Sequence, residues 1–208
     1  MKHTTDETQR LTALIVDMEW EFFDAVQNIG GRAVCQDDPR TFRIMRESQL
    51  HAWNKETLKS YLTDLLRAKN EGRNPLAEKY GYMMAYTSPA EYASLKGGLP
   101  PVPARKRKLI DELVSIQVTW QKTLADTYPK LTGQGRPLRS AEDTPDDTSF
   151  ETYLRGELAT YSEQTLRRYL SYCKALKKQN RNLCRNILEY TVRQYGYVSL
   201  EQAENGIF

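Results

Sequence analysis

The chain has 208 residues and a mass of 24.1 kDa, a size that suits one domain. With 39% hydrophobic residues it has enough apolar side chains for a core, and 27% charged residues predict a well-solvated surface. A net charge of +3 excludes a highly basic polyanion binder on charge balance alone. The sequence also lacks the apolar run of about 18 residues that a membrane-spanning helix needs.

The cysteines and the N-terminus bear on where the protein works. Cys35, Cys173 and Cys184 are odd in number and have no CxxC spacing, which favours free thiols in a reducing compartment. The N-terminus is polar and lacks the apolar segment of a signal peptide. These features predict a soluble, cytoplasmic protein.

Helix signals follow one another through residues 1–98. Apolar residues at helical spacing predict a first helix over about residues 11–26, which ends at the paired glycines of 28–31. The next four helices begin at capping residues, three of them followed directly by proline: Asp38–Pro39, Asn54, Asn74–Pro75 and Ser88–Pro89. The first of these four helices runs to about Trp53, and the second stops at Gly72.

The middle of the chain, residues 99–148, contains one long helix and one long loop. Apolar residues at helical spacing predict a helix from about 104 to 127. Residues 129–148 are rich in glycine, proline and acidic residues, which is typical of a functional or disordered loop. Residues 149–208 complete the chain with helices at about 149–160, 163–179 and 181–195, and a short last turn that begins with a capping box at Ser199 and Gln202.

These patterns predict an all-α fold. No stretch alternates as a strand would, and the chain has neither an internal repeat nor sustained heptads. We expect a single helical domain over residues 1–208, with about eight to nine helices joined by short capped turns.

Polar residues interrupt the apolar faces of two helices in the first half. Arg46, Gln49 and Trp53 share a face with Phe42 and Met45. In the next helix but one, the polar positions are Asn74, Glu78 and Tyr82. Buried polar groups need partners, so these residues predict either an internal polar lattice or a pocket.

A similar mixture of polar and apolar residues recurs at 148–161. Tyr153, Glu157 and Tyr161 are spaced by four residues and project from one side of a helix. Gly156 in the middle of that helix costs about 1 kcal/mol relative to alanine, which indicates close approach of another backbone or a ligand. We expect Arg155 to pair with Glu78, and Glu157 with Arg46, so that the two segments form one polar centre.

Metal and cysteine chemistry have weaker support in the sequence. Glu47 and His51 share a helix face, and a carboxylate-rich site of Glu19, Glu47, His51 and Glu78 is conceivable. However, the chain has only two histidines, and an exposed helix pair is the simpler interpretation. Cys35 has no obvious histidine partner. We predict no metal ligands, and the sequence identifies no cofactor.

Two basic segments raise the alternative of an anionic macromolecular partner. The run RKRK at 105–108 lies at a helix start, where positive charge is unfavourable. Residues 163–195 contain eight Lys or Arg and two acidic residues. Lys174, Lys178, Arg181 and Arg185 would form a stripe on a continuous helix, although Asn180 indicates a break. A protein or a nucleic acid is therefore an alternative partner.

Four long motifs resemble one family: CQDDPRTFRIMRESQLHAW at 35–53, GRNPLAEKYGYMM at 72–84, SFETYLRGELATYS at 149–162 and YGYVSLEQAE at 195–204. They resemble the domain-of-unknown-function family numbered four-one-two-five, and the resemblance covers almost the whole chain. It implies a stand-alone bacterial protein of a kind common in anaerobes. It implies no activity, so no catalytic residues can be transferred.

The leading functional hypothesis is an open polar pocket that binds, and transforms, a small anionic or polar metabolite. Arg43 or Arg46 would hold a carboxylate or phosphate, because guanidinium forms bidentate hydrogen bonds. The predicted catalytic residues are Glu78, Tyr82 and Glu157. The predicted ligand-binding residues are Arg43, Arg46, Gln49, Trp53, Asn74, Tyr153, Arg155 and Tyr161. A third interpretation is a structural α-domain whose polar residues only fix helix register.

Overall fold

The structure, a computed structural model, describes residues 2–27, 31–144 and 147–206, with the backbone alone for 2–6. Within these ranges it is all-helical and contains no strand, as predicted, but its eleven α-helices exceed the expected eight to nine. The helices are α1 Lys2–Asp24, α2 Pro39–His51, α3 Lys55–Asn70, α4 Pro75–Thr87, α5 Pro89–Leu95, α6 Ala104–Thr127, α7 Pro129–Gly133, α8 Phe150–Thr160, α9 Glu163–Lys178, α10 Leu183–Gln194 and α11 Leu200–Gly206.

The predicted helix starts are largely confirmed by capping hydrogen bonds. The Asp38 side chain accepts from the Thr41 amide at 3.0 Å, and Asn54 accepts from the Thr57 amide at 3.0 Å. Asn74 caps α4 in the same way. Ser88 makes no side-chain cap, so that part of the prediction is wrong, and the proline after it starts the helix alone.

Residues with a positive φ angle follow α3, α9 and α10, at positions where the sequence predicts the end of a helix. Gly72 and Gly196 have φ of 66° and 91°, and Asn180 has φ of 55° between α9 and α10. The break at Asn180 means that the basic residues of 163–195 do not lie on one continuous helix. Gly31 has φ of 91° as expected, whereas 28–30 lie outside the described residues.

The described part of the 129–148 segment is ordered. It contains α7 and a short 3-10 turn, and it caps the start of α8. Asp143 accepts hydrogen bonds from the Ser149 amide at 2.6 Å and the Thr152 hydroxyl at 2.5 Å. The segment predicted to be a functional or disordered loop is thus attached to the start of α8 by Asp143 in its described residues. Residues 145–146 lie outside them.

One cluster of buried side chains connects the long helices. Its fully buried members include Ile15, Leu58, Leu113, Leu158 and Leu166, from α1, α3, α6, α8 and α9. Nonpolar burial of this kind is the main force that holds such helices together. Within the described ranges, none of the helices combines the length and the apolarity needed to cross a bilayer.

Helices α4 and α8 approach each other closely at Gly156. A Cβ atom added there would lie 2.6 Å from Met83 Cγ and 2.9 Å from the Lys79 carbonyl oxygen. The predicted close approach of another backbone at Gly156 is thus confirmed. This contact brings the polar side chains of α4 and α8 together in the interior.

Candidate functional site

Four charged side chains meet in the interior of the helical assembly. They are Glu19 of α1, Arg46 of α2, Lys79 of α4 and Glu157 of α8, here called the ion cluster, and all are buried. Two acids face two bases, so the formal charges cancel. Balanced charge is what allows ionised groups to remain in a region of low dielectric constant.

Arg46 is at the centre of the ion cluster. Its Nε and Nη2 donate to the two carboxylate oxygens of Glu19 at 2.7 and 2.5 Å. Its Nη1 donates to Glu157 Oε1 at 3.1 Å and to Gln49 Oε1 at 2.7 Å. The predicted pairing of Arg46 with Glu157 is confirmed. The bidentate arrangement with Glu19 uses the planar geometry of the guanidinium group.

Glu157 accepts hydrogen bonds from several further groups. Lys79 Nζ lies 3.0 Å away, Gln49 Nε2 2.9 Å and the Tyr161 hydroxyl 2.7 Å. The Tyr61 hydroxyl donates to the other acid, Glu19, at 2.6 Å. Each carboxylate oxygen of Glu19 and Glu157 therefore accepts hydrogen bonds from other side chains. The polar centre is filled by the protein's own side chains.

The electrostatics of the ion cluster keep Glu157 ionised. Burial alone raises the pKa of Glu157, but the positive charges of Arg46 and Lys79 outweigh burial and hold that pKa well below its usual range. Burial, together with the neighbouring Glu157 carboxylate, raises the pKa of the Tyr161 hydroxyl. Glu157 therefore acts as a hydrogen-bond acceptor at neutral pH. Its predicted catalytic role stays a prediction.

Tyr153 packs against Lys79 of the ion cluster, and Trp53 packs against tyrosines beside the cluster. Lys79 Nζ lies 3.4 Å from the Tyr153 ring centroid, and Arg136 Cζ lies 4.5 Å from the same centroid. The Tyr153 ring is thus positioned for cation–π attraction to two cations. Trp53 is buried beside Tyr169, with ring centroids 4.7 Å apart.

A solvent-accessible crevice of about 140 Å³ lies beside the ion cluster. Tyr161 lines the crevice and also donates to Glu157, so it connects the two features. The walls come from α3, α4, the first turn of α6 and the α8–α9 turn. The charged residues of the crevice are Asp64, Arg67, Arg73, Glu78 and Lys106.

The two carboxylates of the crevice are already bonded. Glu78 accepts from Arg73 Nη1 at 2.8 and 3.0 Å. Asp64 accepts from the Ser162 amide at 2.9 Å and from the Thr165 hydroxyl at 2.6 Å. Three cations and two carboxylates line the crevice, which gives its lining a formal charge of +1, and Arg73 also pairs with Glu71 just outside it.

Lys106 belongs to the basic run 105–108, which the sequence analysis related to an anionic macromolecule and not to the pocket. Its Nζ donates to the Ala159 carbonyl at 2.5 Å. Burial lowers the pKa of Lys106 to about 8, in spite of the opposing charges of Asp64 and Glu78. The available signal was its spacing, because residue 106 shares a helix face with the buried Ile110 and Leu113.

The remaining predicted site residues lie elsewhere. Arg43 pairs with Asp17 at the surface, Asn74 donates to the Phe22 carbonyl at 2.7 Å, and Tyr82 donates to the Pro100 carbonyl at 2.5 Å. Arg155 pairs with Asp111 and Glu151. The predicted Arg155–Glu78 pair is wrong, because Glu78 is bonded to Arg73.

Glu47 and His51 line a separate surface groove of about 600 Å³. The His51 ring packs on Tyr190 with centroids 4.3 Å apart. The conceivable site of Glu19, Glu47, His51 and Glu78 is not assembled, since Glu19 binds Arg46 and Glu78 binds Arg73. In the part of the chain that the structure describes, no three His, Cys, Asp or Glu residues are arranged to hold a metal ion.

The basic face of residues 163–195 is partly neutralised. Lys174 pairs with Glu112 at 2.6 Å, and Arg185 pairs with Glu189 at 2.9 Å. Arg167 pairs with Glu163 at 2.6 Å. Such exposed pairs add little stability, but they reduce the net positive charge available to a partner.

The described residues thus form an all-helical protein in which a closed ion cluster lies beside an open crevice lined by three cations and two carboxylates. The chain belongs to the family described as protein of unknown function DUF4125, which matches residues 9–205. The family resemblance noted from the four motifs is thereby confirmed. Comparison with curated proteins and with solved structures finds no match.

Proposed function

We propose that the crevice binds a small anionic metabolite. The observation that carries this proposal is the imbalance of charge: Arg67, Arg73 and Lys106 line the crevice, and its two carboxylates are already bonded. A negatively charged ligand would balance the net positive charge of the residues that line the crevice. This retains the predicted class of ligand but moves the site from Arg46, whose donors are taken by Glu19, Glu157 and Gln49.

Size and helix orientation also support a small anion. A volume of about 140 Å³ is below the roughly 300–1,000 Å³ of pockets for drug-sized ligands. The first turn of α6 carries Lys106 to the crevice, and α6 has no side-chain cap. The positive end of the α6 dipole is therefore near the crevice, and the opposing negative end of α8 is bonded there by Lys106 Nζ through the Ala159 carbonyl.

Glu78 and Tyr161 remain the predicted residues best placed to contact such a ligand. Both line the crevice, whereas Tyr82, Tyr153, Trp53 and Arg43 do not. Arg73 would present its guanidinium to a carboxylate or phosphate while keeping its contact with Glu78. Glu78 would then be one of the acids or bases beside the bound ligand, with Asp64 and Lys106.

Calorimetric titration with malonate and with inorganic phosphate tests the proposal. We expect Arg73→Gln and Lys106→Gln each to weaken malonate binding roughly ten- to hundredfold, because a charge-assisted hydrogen bond contributes about 1.5–3 kcal/mol. Arg181→Gln, at an exposed position outside the crevice, is the matched control and should bind as the wild type does. Absence of saturable binding, or equal binding by all three variants, would overturn the proposal; circular dichroism establishes that each variant is folded.

The second candidate is an interaction module that uses the basic face of 163–195. It is favoured by a shallow groove of about 450 Å³ lined by Arg167, Lys174 and Lys178. Salt-sensitive RNA or DNA binding that is lost on reversing the charge of Lys174 and Lys178 would support it. The ion pairs of Lys174 and Arg167 make it the less favoured of the two.

We also propose that the protein works in a reducing, cytoplasmic compartment of a bacterium. Support for the compartment comes from its three free cysteines, of which Cys173 and Cys184 are buried. Burial raises the pKa of both thiols, so they are poor nucleophiles. The bacterial, anaerobic source rests on the family resemblance alone.

A further inference from the structure

Within the described residues Lys106 makes no ion pair although it is half-buried, whereas Arg67, the other cation of the crevice without an ion pair, is exposed. Lys106 Nζ is bonded to one neutral group, the Ala159 carbonyl. Within the described ranges, no carboxylate lies at ion-pair distance from it, whereas Arg73 is bound to Glu78 and Glu71. A lysine amine is thus held in a crevice, close to an arginine, without a counter-ion of its own.

We propose that Lys106 forms an imine with a small carboxylate that carries a ketone or aldehyde, an α-keto acid being the simplest case. The inference rests on the proposed anion site and adds a substrate class and a covalent step to it. Arg73, with Arg67 at the same crevice, would hold the carboxylate group. The carbonyl carbon of the ligand would then face Lys106 Nζ, because a small crevice leaves little room for other orientations.

The covalent step is balanced without an oxidant or a reductant. Lys106 loses one proton to water, and the neutral amine attacks the carbonyl carbon to form a C–N bond. The carbonyl oxygen leaves as water with two hydrogens that come from the original ammonium group and the solvent. Overall, one ammonium group and one carbonyl compound give one protonated imine and one water. Lysine amines in partly buried sites are the usual residues for this reaction.

The surroundings of Lys106 favour the neutral amine that this reaction needs. The titratable groups facing it are Tyr61, Asp64 and Arg67 of α3, Arg73 before α4, Glu78 of α4 and Tyr161 after α8. Burial outweighs the two carboxylates and lowers the pKa of Lys106 to about 8. The neutral fraction of Lys106 at pH 7 is therefore larger than that of a solvated lysine.

Reductive trapping tests the inference on the full-length protein. The protein is incubated with pyruvate and sodium cyanoborohydride, and the modified lysines are mapped by peptide mass spectrometry. We expect an adduct of one pyruvate less one oxygen atom, formed on Lys106 at least roughly tenfold faster than on other lysines, given its larger neutral fraction. Malonate should suppress this labelling. Without malonate, the rate of labelling should rise from pH 7 and level off above the pKa of Lys106.

The matched variants are Lys106→Met and Lys108→Met. Lys108 is exposed, lies on the same helix and does not line the crevice. Loss of the preferred adduct in Lys106→Met, and its retention in Lys108→Met, would support the inference. Slow, even labelling of many lysines in the wild type would overturn it and leave Lys106 as a cation that only caps the C-terminal end of α8.

The outcomes separate this inference from the proposed function. Malonate binding that depends on Arg73, without preferential trapping on Lys106, would reject the imine and retain the anion site. Absence of malonate binding and of preferential trapping would reject both the anion site and the imine. Preferential trapping that malonate does not suppress would reject the shared site, because the reactive amine would then lie outside the anion site.

Discussion

At the scale of single residues, Glu157 is the group on which most of the polar interior depends. It accepts hydrogen bonds from Arg46, Lys79 and Tyr161, and its side chain is 6% exposed. Removal of one partner from a buried ion cluster leaves an uncompensated charge, which costs more than the intact interaction contributes. The effect of a single substitution at Glu157 should therefore be large.

We expect Glu157→Gln to lower the free energy of unfolding by about 3–5 kcal/mol at pH 7, the usual cost of breaking a buried ion pair. Glutamine keeps the shape of the side chain, but it loses the charge that neutralises Arg46 and Lys79 and replaces one accepting oxygen with an NH2 donor. Urea unfolding measures the change. The control is Asp126→Asn, which removes the exposed Lys122–Asp126 pair and should cost less than about 1 kcal/mol. Equal effects of the two substitutions would contradict the structural role of Glu157.

The wild type and Glu157→Gln should also differ in how the free energy of unfolding depends on pH. The pKa of Glu157 is lower in the folded state than its ordinary value of 4.5, so the unfolded state binds more protons in this range. The stability that Glu157 contributes is complete above pH 4.5 and is lost as the pH falls below it. The difference between wild type and Glu157→Gln should thus be constant near neutral pH and shrink in acid. A difference that does not change with pH would contradict this explanation.

At the scale of secondary-structure elements, the contact between α4 and α8 determines how the polar residues meet. Gly156 allows the two helices to approach so closely that the Lys79 carbonyl lies 2.9 Å from the position of a Cβ atom. This proximity places Lys79 within 3.0 Å of Glu157. A wider separation of the helices would weaken that ion pair.

Gly156→Ala should therefore destabilise the protein by about 1–3 kcal/mol, because overpacking outweighs the gain of about 1 kcal/mol in helix propensity. Thermal and urea unfolding measure the change. Gly133→Ala is the matched control, since a Cβ atom there has no neighbour within 4 Å, and it should be neutral or slightly stabilising. Stabilisation by Gly156→Ala would show that α4 and α8 are farther apart than described.

The sequence was a good guide to the helices and a partial guide to the site. Caps and glycines act locally, so the starts at Asp38, Asn54 and Asn74 were predictable. Arg46 and Glu157 were predictable as partners because both interrupt apolar faces, although 111 residues separate them. The bonding of Arg73 to Glu78 depends on the path of the α3–α4 loop, which the helical pattern does not encode.

At the scale of the whole molecule, the polar centre expected from the two sequence segments divides into two parts. The ion cluster is closed, because its donors and acceptors bond to one another. The crevice is open, and its cations are Arg67, Arg73 and Lys106, which the sequence analysis did not assign to the polar centre. Tyr161 contacts both parts. The proposed anion site therefore lies beside the predicted centre.

The most direct test of this division is a malonate titration followed by amide resonances in ¹H–¹⁵N correlation spectra. We predict saturable shifts for the amides of Arg73, Lys106 and Ser162, which line the crevice. The amides of Arg46 and Gln49 should stay unchanged, because their side chains are bonded within the ion cluster. Shifts centred on Arg46 and Gln49, or no saturable shift at any amide, would contradict the account.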